Sequence, residues 1–115
     1  MTETNKEAEI EIIRKARNGD SEAFASLVEP LEQQLFVYLY RMVTHRETAE
    51  DLRQEVLLRA FEKLSNFRGE ANFKTWLFGI ATNACLDFLR YRKRWRVDAQ
   101  LKGEEETDAD PERLG

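Results

Sequence analysis

The sequence predicts an all-α fold, a compact bundle of about four helices followed by a flexible acidic C-terminal tail. Three observations predict it. Apolar residues recur every three or four positions along most of the chain, the period of a helix with one buried face. Gly and Pro are scarce, at 5 and 2 residues of 115, and no β-branched run of strand type occurs. The second, third and fourth periodic stretches are each preceded by a residue able to cap a helix N-terminus.

The first helix is read over Lys6 to Asn18, where Ile10, Ile13 and Arg17 share a face. Gly19 follows as a left-handed C-terminal stop, and Asp20 or Ser21 caps the next helix. That second helix carries Phe24, Leu27, Val28, Leu31, Leu35, Leu39 and Met42 in one stripe. Pro30 interrupts its hydrogen bonding, and because the stripe keeps phase across it, a kink is expected rather than a break. Thr44 to Glu47 forms a candidate capping box, with Thr48 to Asp51 as a second choice, for a third helix reaching about Ser65, with Ala49, Leu52, Val56, Ala60 and Leu64 inward. Asn66 to Asn72, NFRGEAN, has loop chemistry. Asn72 caps a fourth helix whose buried stripe is Leu77, Ile80, Ala81, Ala84 and Phe88. Its face carrying Thr75, Gly79, Thr82, Asn83 and Arg90 is left open to a partner.

Charge is arranged in blocks. Residues 1–67 carry a net −4, residues 68–96 a net +5, and residues 97–115 a net −5. The basic block also holds Phe73, Trp76, Phe78, Phe88, Tyr91 and Trp95, with Phe67 just before it. Basic side chains interleaved with aromatic rings suit a nucleic acid, because phosphates take the charge and bases take the π-faces. The plainer alternative is an amphipathic helix whose basic end complements its own dipole.

Enzymatic chemistry finds no support. His45 and Cys85 are the only histidine and the only cysteine, and their separation offers no metal-ligand spacing. His45 reads as a solvated loop residue and Cys85 as a small core residue. No glycine-rich phosphate loop occurs, and the carboxylates cluster at helix starts and in the tail. We expect no catalytic residue, no metal and no cofactor. A single cysteine agrees with a reducing compartment. No apolar run approaches the roughly 18 residues of a membrane span, so a cytoplasmic location without membrane insertion is expected.

The run Ala49 to Arg94, AEDLRQEVLLRAFEKLSNFRGEANFKTWLFGIATNACLDFLRYRKR, resembles region 2 of bacterial sigma-70-family sigma factors, in particular the extracytoplasmic-function group. Two segments carry the likeness together. Ala49 to Val56, AEDLRQEV, is similar to the segment that binds the polymerase core. Phe73 to Asn83, FKTWLFGIATN, is similar to the segment that melts and reads the promoter −10 element. Gly19 to Phe24, GDSEAF, fits the group's usual opening, so the likeness runs from about Ile10 to Arg96.

The resemblance implies a transcription initiation factor domain that docks on core RNA polymerase and captures bases of the −10 non-template strand. Asp51, Gln54 and Glu55 match residues that dock on the clamp helices of the largest subunits. Asn66, Phe67, Arg68, Gly69, Glu70, Ala71 and Asn72 match the loop that holds a flipped base. Lys74, Trp76 and Asn83 match positions near the melted element, and Arg90, Arg92, Lys93 and Arg94 lie where upstream phosphates are held. An anti-sigma factor is a further implied partner. Gly79 departs from the family, which often has a basic or polar residue there.

Residues 1–97 are expected to form the domain and 98–115 the start of an inter-domain linker, with the family's −35-reading domain absent. Physically, unstacking a duplex step costs a few kcal/mol, which stacking on aromatic rings offsets by roughly 1–3 kcal/mol per base. Two alternatives stay open: a module that docks on polymerase without opening DNA, and a helical DNA-binding repressor.

Overall fold

The computed structural model describes residues 2–69 and 71–101, and these residues are helical apart from short connections. Five α-helices and two 3-10 turns follow one another: α1 (Thr2–Arg17), α2 (Ser21–Val28), a turn (Glu29–Leu31), α3 (Glu32–Val43), α4 (Arg46–Lys63), a second turn (Leu64–Asn66) and α5 (Phe73–Leu101). The expected all-α bundle is what forms, its second helix divided in two.

Each boundary has a local cause. At the end of α1 the Gly19 N–H donates to the Ala16 carbonyl and the Asp20 N–H to the Lys15 carbonyl. This is a Schellman closure, and it requires the positive φ of 98° at Gly19. The Asp20 carboxylate then accepts from the Glu22 and Ala23 N–H groups, both at 3.1 Å, and starts α2 at once.

Pro30 does more than kink. Lacking an N–H to continue the α-helical ladder, it sits in one 3-10 turn, residues 29–31, that separates α2 from α3. The stripe nonetheless stays in phase: Leu27, Val28, Leu35, Leu39 and Val43 are all buried.

The corner between α3 and α4 differs from the expected capping box. Thr44 is the left-handed residue that closes α3, with φ 55° and its N–H donated to the Tyr40 carbonyl at 2.7 Å. The cap of α4 is His45. Its Nδ1 accepts from the Thr48 N–H at 3.3 Å and lies 3.0 Å from the Thr48 hydroxyl. His45 is therefore a half-buried structural cap rather than a free loop residue. Sequence pattern favoured Thr44 because hydroxyls cap far more often than imidazoles.

α4 buries Ala49, Leu52, Val56 and Ala60, and Leu64 follows in the adjoining turn, as expected from their spacing. α5 is capped by Asn72, whose Oδ1 accepts from the Thr75 N–H at 2.8 Å. It buries Phe73, Leu77, Ala81, Ala84 and Cys85 in the same core, with Ile80 and Phe88 packed at its edge. Burial pushes the Cys85 thiol up, which keeps it protonated and unreactive. At 29 residues α5 is about 43 Å long, so its basic second half runs on past the core. The helix continues through residues 98–101, into the stretch read as linker; residues 102–115 of the acidic tail lie outside the described residues.

Two substitutions at the α3–α4 corner should move stability in opposite directions. Thr44→Gly removes a left-handed β-branched residue and should gain about 1 kcal/mol. His45→Ala removes the cap and should lose about 1 kcal/mol. Urea unfolding followed by circular dichroism measures both.

Candidate nucleic-acid and partner interface

Three exposed surfaces emerge from this packing. The first is on α4. Burial of Leu52, Val56 and Ala60 on one side leaves Asp51, Gln54 and Glu55 exposed on another, at spacings of three and four that keep them together. Glu55 has a partner on its own helix. Arg59 donates to Glu55 Oε2 from Nη2 at 2.7 Å and from Nε at 3.1 Å, while its Nη1 reaches Asp87 of α5 at 3.3 Å.

The second surface is the loop between α4 and α5. Phe67 is 4% exposed. Its ring packs 5.2 Å from Trp76 and 6.2 Å from Phe73, and Trp76 and Phe73 are themselves 5.7 Å apart. Phe67 therefore anchors the loop and, buried in this way, offers no open face to a base; its apolar character and its position beside the buried Leu64 explain why. Asn66, Arg68, Gly69, Ala71 and Asn72 are exposed, Gly69 with a positive φ of 79°. Glu70 lies outside the described residues.

The loop forms one wall of a groove of about 590 Å³, a size typical of ligand clefts. Phe67, Arg68, Gly69 and Asn72 line one side; α1 lines the other with Lys6, Glu9, Ile10, Arg14 and Arg17. Arg17 Nη2 donates to the Ser65 carbonyl at 3.3 Å and ties the walls together. Arg14 is paired with Glu11, whose carboxyl it holds below the usual range. Ile10 remains 58% exposed. Sequence reasoning had not assigned α1 to the site. The signal was present: Arg17 continues the stripe of Ile10 and Ile13, where a purely structural helix would place another apolar residue.

The third surface is α5. Asn83, Arg90, Lys93 and Arg94 are exposed and share one side of the helix at 3.6 residues per turn. Trp76 is half-buried beside Phe67 at the edge of that side. Gly79 lies among them with open space where a Cβ would be. Lys74 and Arg92 belong to a different side: the Lys74 ammonium sits 6.0 Å from the Phe78 ring and the Arg92 guanidinium 5.9 Å from the Phe88 ring. Thr82 is not open as expected. Its hydroxyl bonds the Tyr38 hydroxyl of α3 and the Phe78 carbonyl, which half-buries it. Arg90 is bonded to Asp87 at 3.2 Å, leaving most of its donors uncommitted.

Among the described residues no group of histidine, cysteine and carboxylate side chains has the geometry to hold a metal ion. No described helix is long and apolar enough to cross a membrane.

Residues 27–96 match the Sigma-70 region 2 family. The chain is 35% identical over 94 residues to the ECF RNA polymerase sigma factor SigW of Bacillus subtilis, covering 81% of this chain and 50% of that protein. It is 44% identical over 78 residues to the ECF RNA polymerase sigma factor SigG of Mycobacterium tuberculosis, covering 68% of this chain and 20% of that protein. Against the RNA polymerase sigma-H factor of Pseudomonas aeruginosa it is 31% identical over 100 residues, covering 87% of this chain and 52% of that one. The chain thus spans about half the length, or less, of these relatives.

The two residue classes in the site should separate cleanly by stability. Phe67→Ala should cost about 3–5 kcal/mol, as for any buried ring. Asn83→Ala, on an open helix face, should stay within about 0.5 kcal/mol. Thermal denaturation of the two variants distinguishes a buried anchor from an exposed helix-face residue.

Proposed function

Because the chain belongs to the sigma-70 region 2 family, we propose that it is an RNA polymerase-binding transcription initiation domain of the extracytoplasmic-function type, working in the cytoplasm on promoter DNA. The observation that carries this reading is the separation of its exposed surfaces. A carboxylate face on α4 is distinct from a loop, groove and basic helix face that suit single-stranded DNA.

Asp51, Gln54 and Glu55 dock on core polymerase. Asn66, Arg68, Gly69, Ala71 and Asn72, together with Glu70, form the loop that receives a base flipped from the −10 non-template strand. The groove beside that loop supports base capture through its volume and composition. Ile10 supplies exposed apolar surface beside the base; Lys6, Arg14, Arg17 and Arg68 outnumber Glu9 on the lining and supply positive charge for its phosphate. Trp76 serves through its accessible part. Asn83 offers a paired donor and acceptor to a base edge. Arg90, Lys93 and Arg94 attract phosphates along the helix, whereas Lys74 and Arg92 reach the strand only by leaving their rings. Such a role asks for binding energy and geometry, with no covalent step.

A second reading, polymerase docking without DNA opening, is favoured by one observation: the burial of Phe67 removes the loop's own aromatic ring as a stacking platform.

Reversing charge at Asp51 and Glu55 should weaken binding to bacterial core RNA polymerase at least tenfold while the helical circular dichroism is unchanged. Parental affinity in the doubly reversed protein would remove the docking assignment.

For DNA, the chain should bind the single non-template −10 strand more tightly than the same sequence as duplex, because a flipped base needs an accessible face. Asn83→Ala should weaken that strand contact by about 1–3 kcal/mol. Neutralising Arg94 should weaken all sequences alike and reduce the slope of log affinity against log salt. Equal affinity for strand and duplex would leave only the docking reading.

A further inference from the structure

Four charged side chains of alternating sign run from the carboxylate face of α4 to the basic face of α5: Glu55, Arg59, Asp87 and Arg90. Arg59 is the centre of this chain. Its side chain is 29% exposed, against 53% for Glu55, 55% for Asp87 and 67% for Arg90. It is also the member that bonds across the two helices, with Glu55 on one side and Asp87 on the other.

The geometry at Glu55 is one-sided. The two Arg59 donors that reach Glu55 both fall on Oε2, so among the described residues Oε1 has no donor within the chain. A free glutamate would sample several rotamers and would lose that freedom on docking. One held by a planar guanidinium fork has already lost much of it. The guanidinium proton is in turn held more firmly than usual, first by the bond to Glu55 and then, against partial desolvation, by the bond to Asp87.

Resting on the docking role of Glu55 given above, we propose that Arg59 is a positioning residue. It preorganises the Glu55 carboxylate for polymerase, holding Oε2 and presenting Oε1, and its bond to Asp87 keeps that carboxylate in register with the basic face of α5. Arg59 itself need not touch polymerase. An exposed pair contributes little to folding, about 0–1 kcal/mol, so the consequence is felt in docking rather than in stability.

The test is a double-substitution cycle on the 115-residue chain, with affinity for bacterial core RNA polymerase as the readout and thermal melting as the check on folding. Arg59→Gln should weaken polymerase binding about 2–5-fold, the scale of an exposed ion pair. The same change in a Glu55→Gln background should then have no further effect, because the carboxylate it positions is gone. Arg59→Lys keeps the charge and cannot fork, so it should recover only part of the affinity; it also replaces Arg59→Gln in the cycle if that variant melts early.

An equal loss from Arg59 substitution with or without Glu55 would mean a merely structural role and would overturn the proposal. So would unchanged polymerase affinity in the Arg59 variants when Glu55→Gln alone weakens binding, and there the docking assignment would survive. If Glu55→Gln itself leaves affinity untouched, the docking assignment fails and the positioning role fails with it.

Discussion

The burial of Phe67 against Phe73 and Trp76 is the constraint on which the functional surfaces depend. It closes the chain reversal after α4, sets where α5 begins, and so fixes the register of every basic residue that follows on that helix. A buried ring of this size is worth several kcal/mol, more than any exposed ion pair in the molecule. The loop between Phe67 and Phe73 can therefore stay polar and exposed, because its two ends are held by the core and by the Asn72 cap.

The same division of labour holds on α4. Its inward side is made of Ala49, Leu52, Val56 and Ala60, with the two small alanines at the ends of the stripe. Core packing thus uses one side of the helix and leaves Asp51, Gln54 and Glu55 uncommitted to stability. Where charge does bridge helices, through Arg59, it adds orientation more than energy. A surface built in this way can be recognised by a partner without the fold depending on that partner.

α1 changes the character of the loop. Its residues turn what would be a projecting turn into one wall of a groove, and the Arg17 bond to the Ser65 carbonyl links α1 to the turn that leads into the loop. Ile10 stays exposed beside Lys6 and Arg14 on that wall.

By itself the sequence determined the helical class, the inward stripes of α4 and α5, the stop at Gly19, the start of α2 at Asp20 or Ser21, the Asn72 cap and the family. These follow from periodicity, from local hydrogen-bonding chemistry and from a long contiguous motif, all of which are written within a few residues of one another. Tertiary structure alone decided the rest. His45 took the capping part expected of Thr44, which instead closes α3 in the left-handed conformation. Pro30 divided the helix because it has no N–H for the α-helical ladder, and the 3-10 turn it occupies leaves the buried stripe in phase. Phe67 went inward because Phe73 and Trp76, brought over it by the loop, give its ring more contact than solvent would. Thr82 was taken up by Tyr38, a residue 44 positions away. The joining of α1 to the loop, and of Glu55 to Asp87 through Arg59, likewise spans distances along the chain that no local pattern records, since such contacts exist only once the helices have packed.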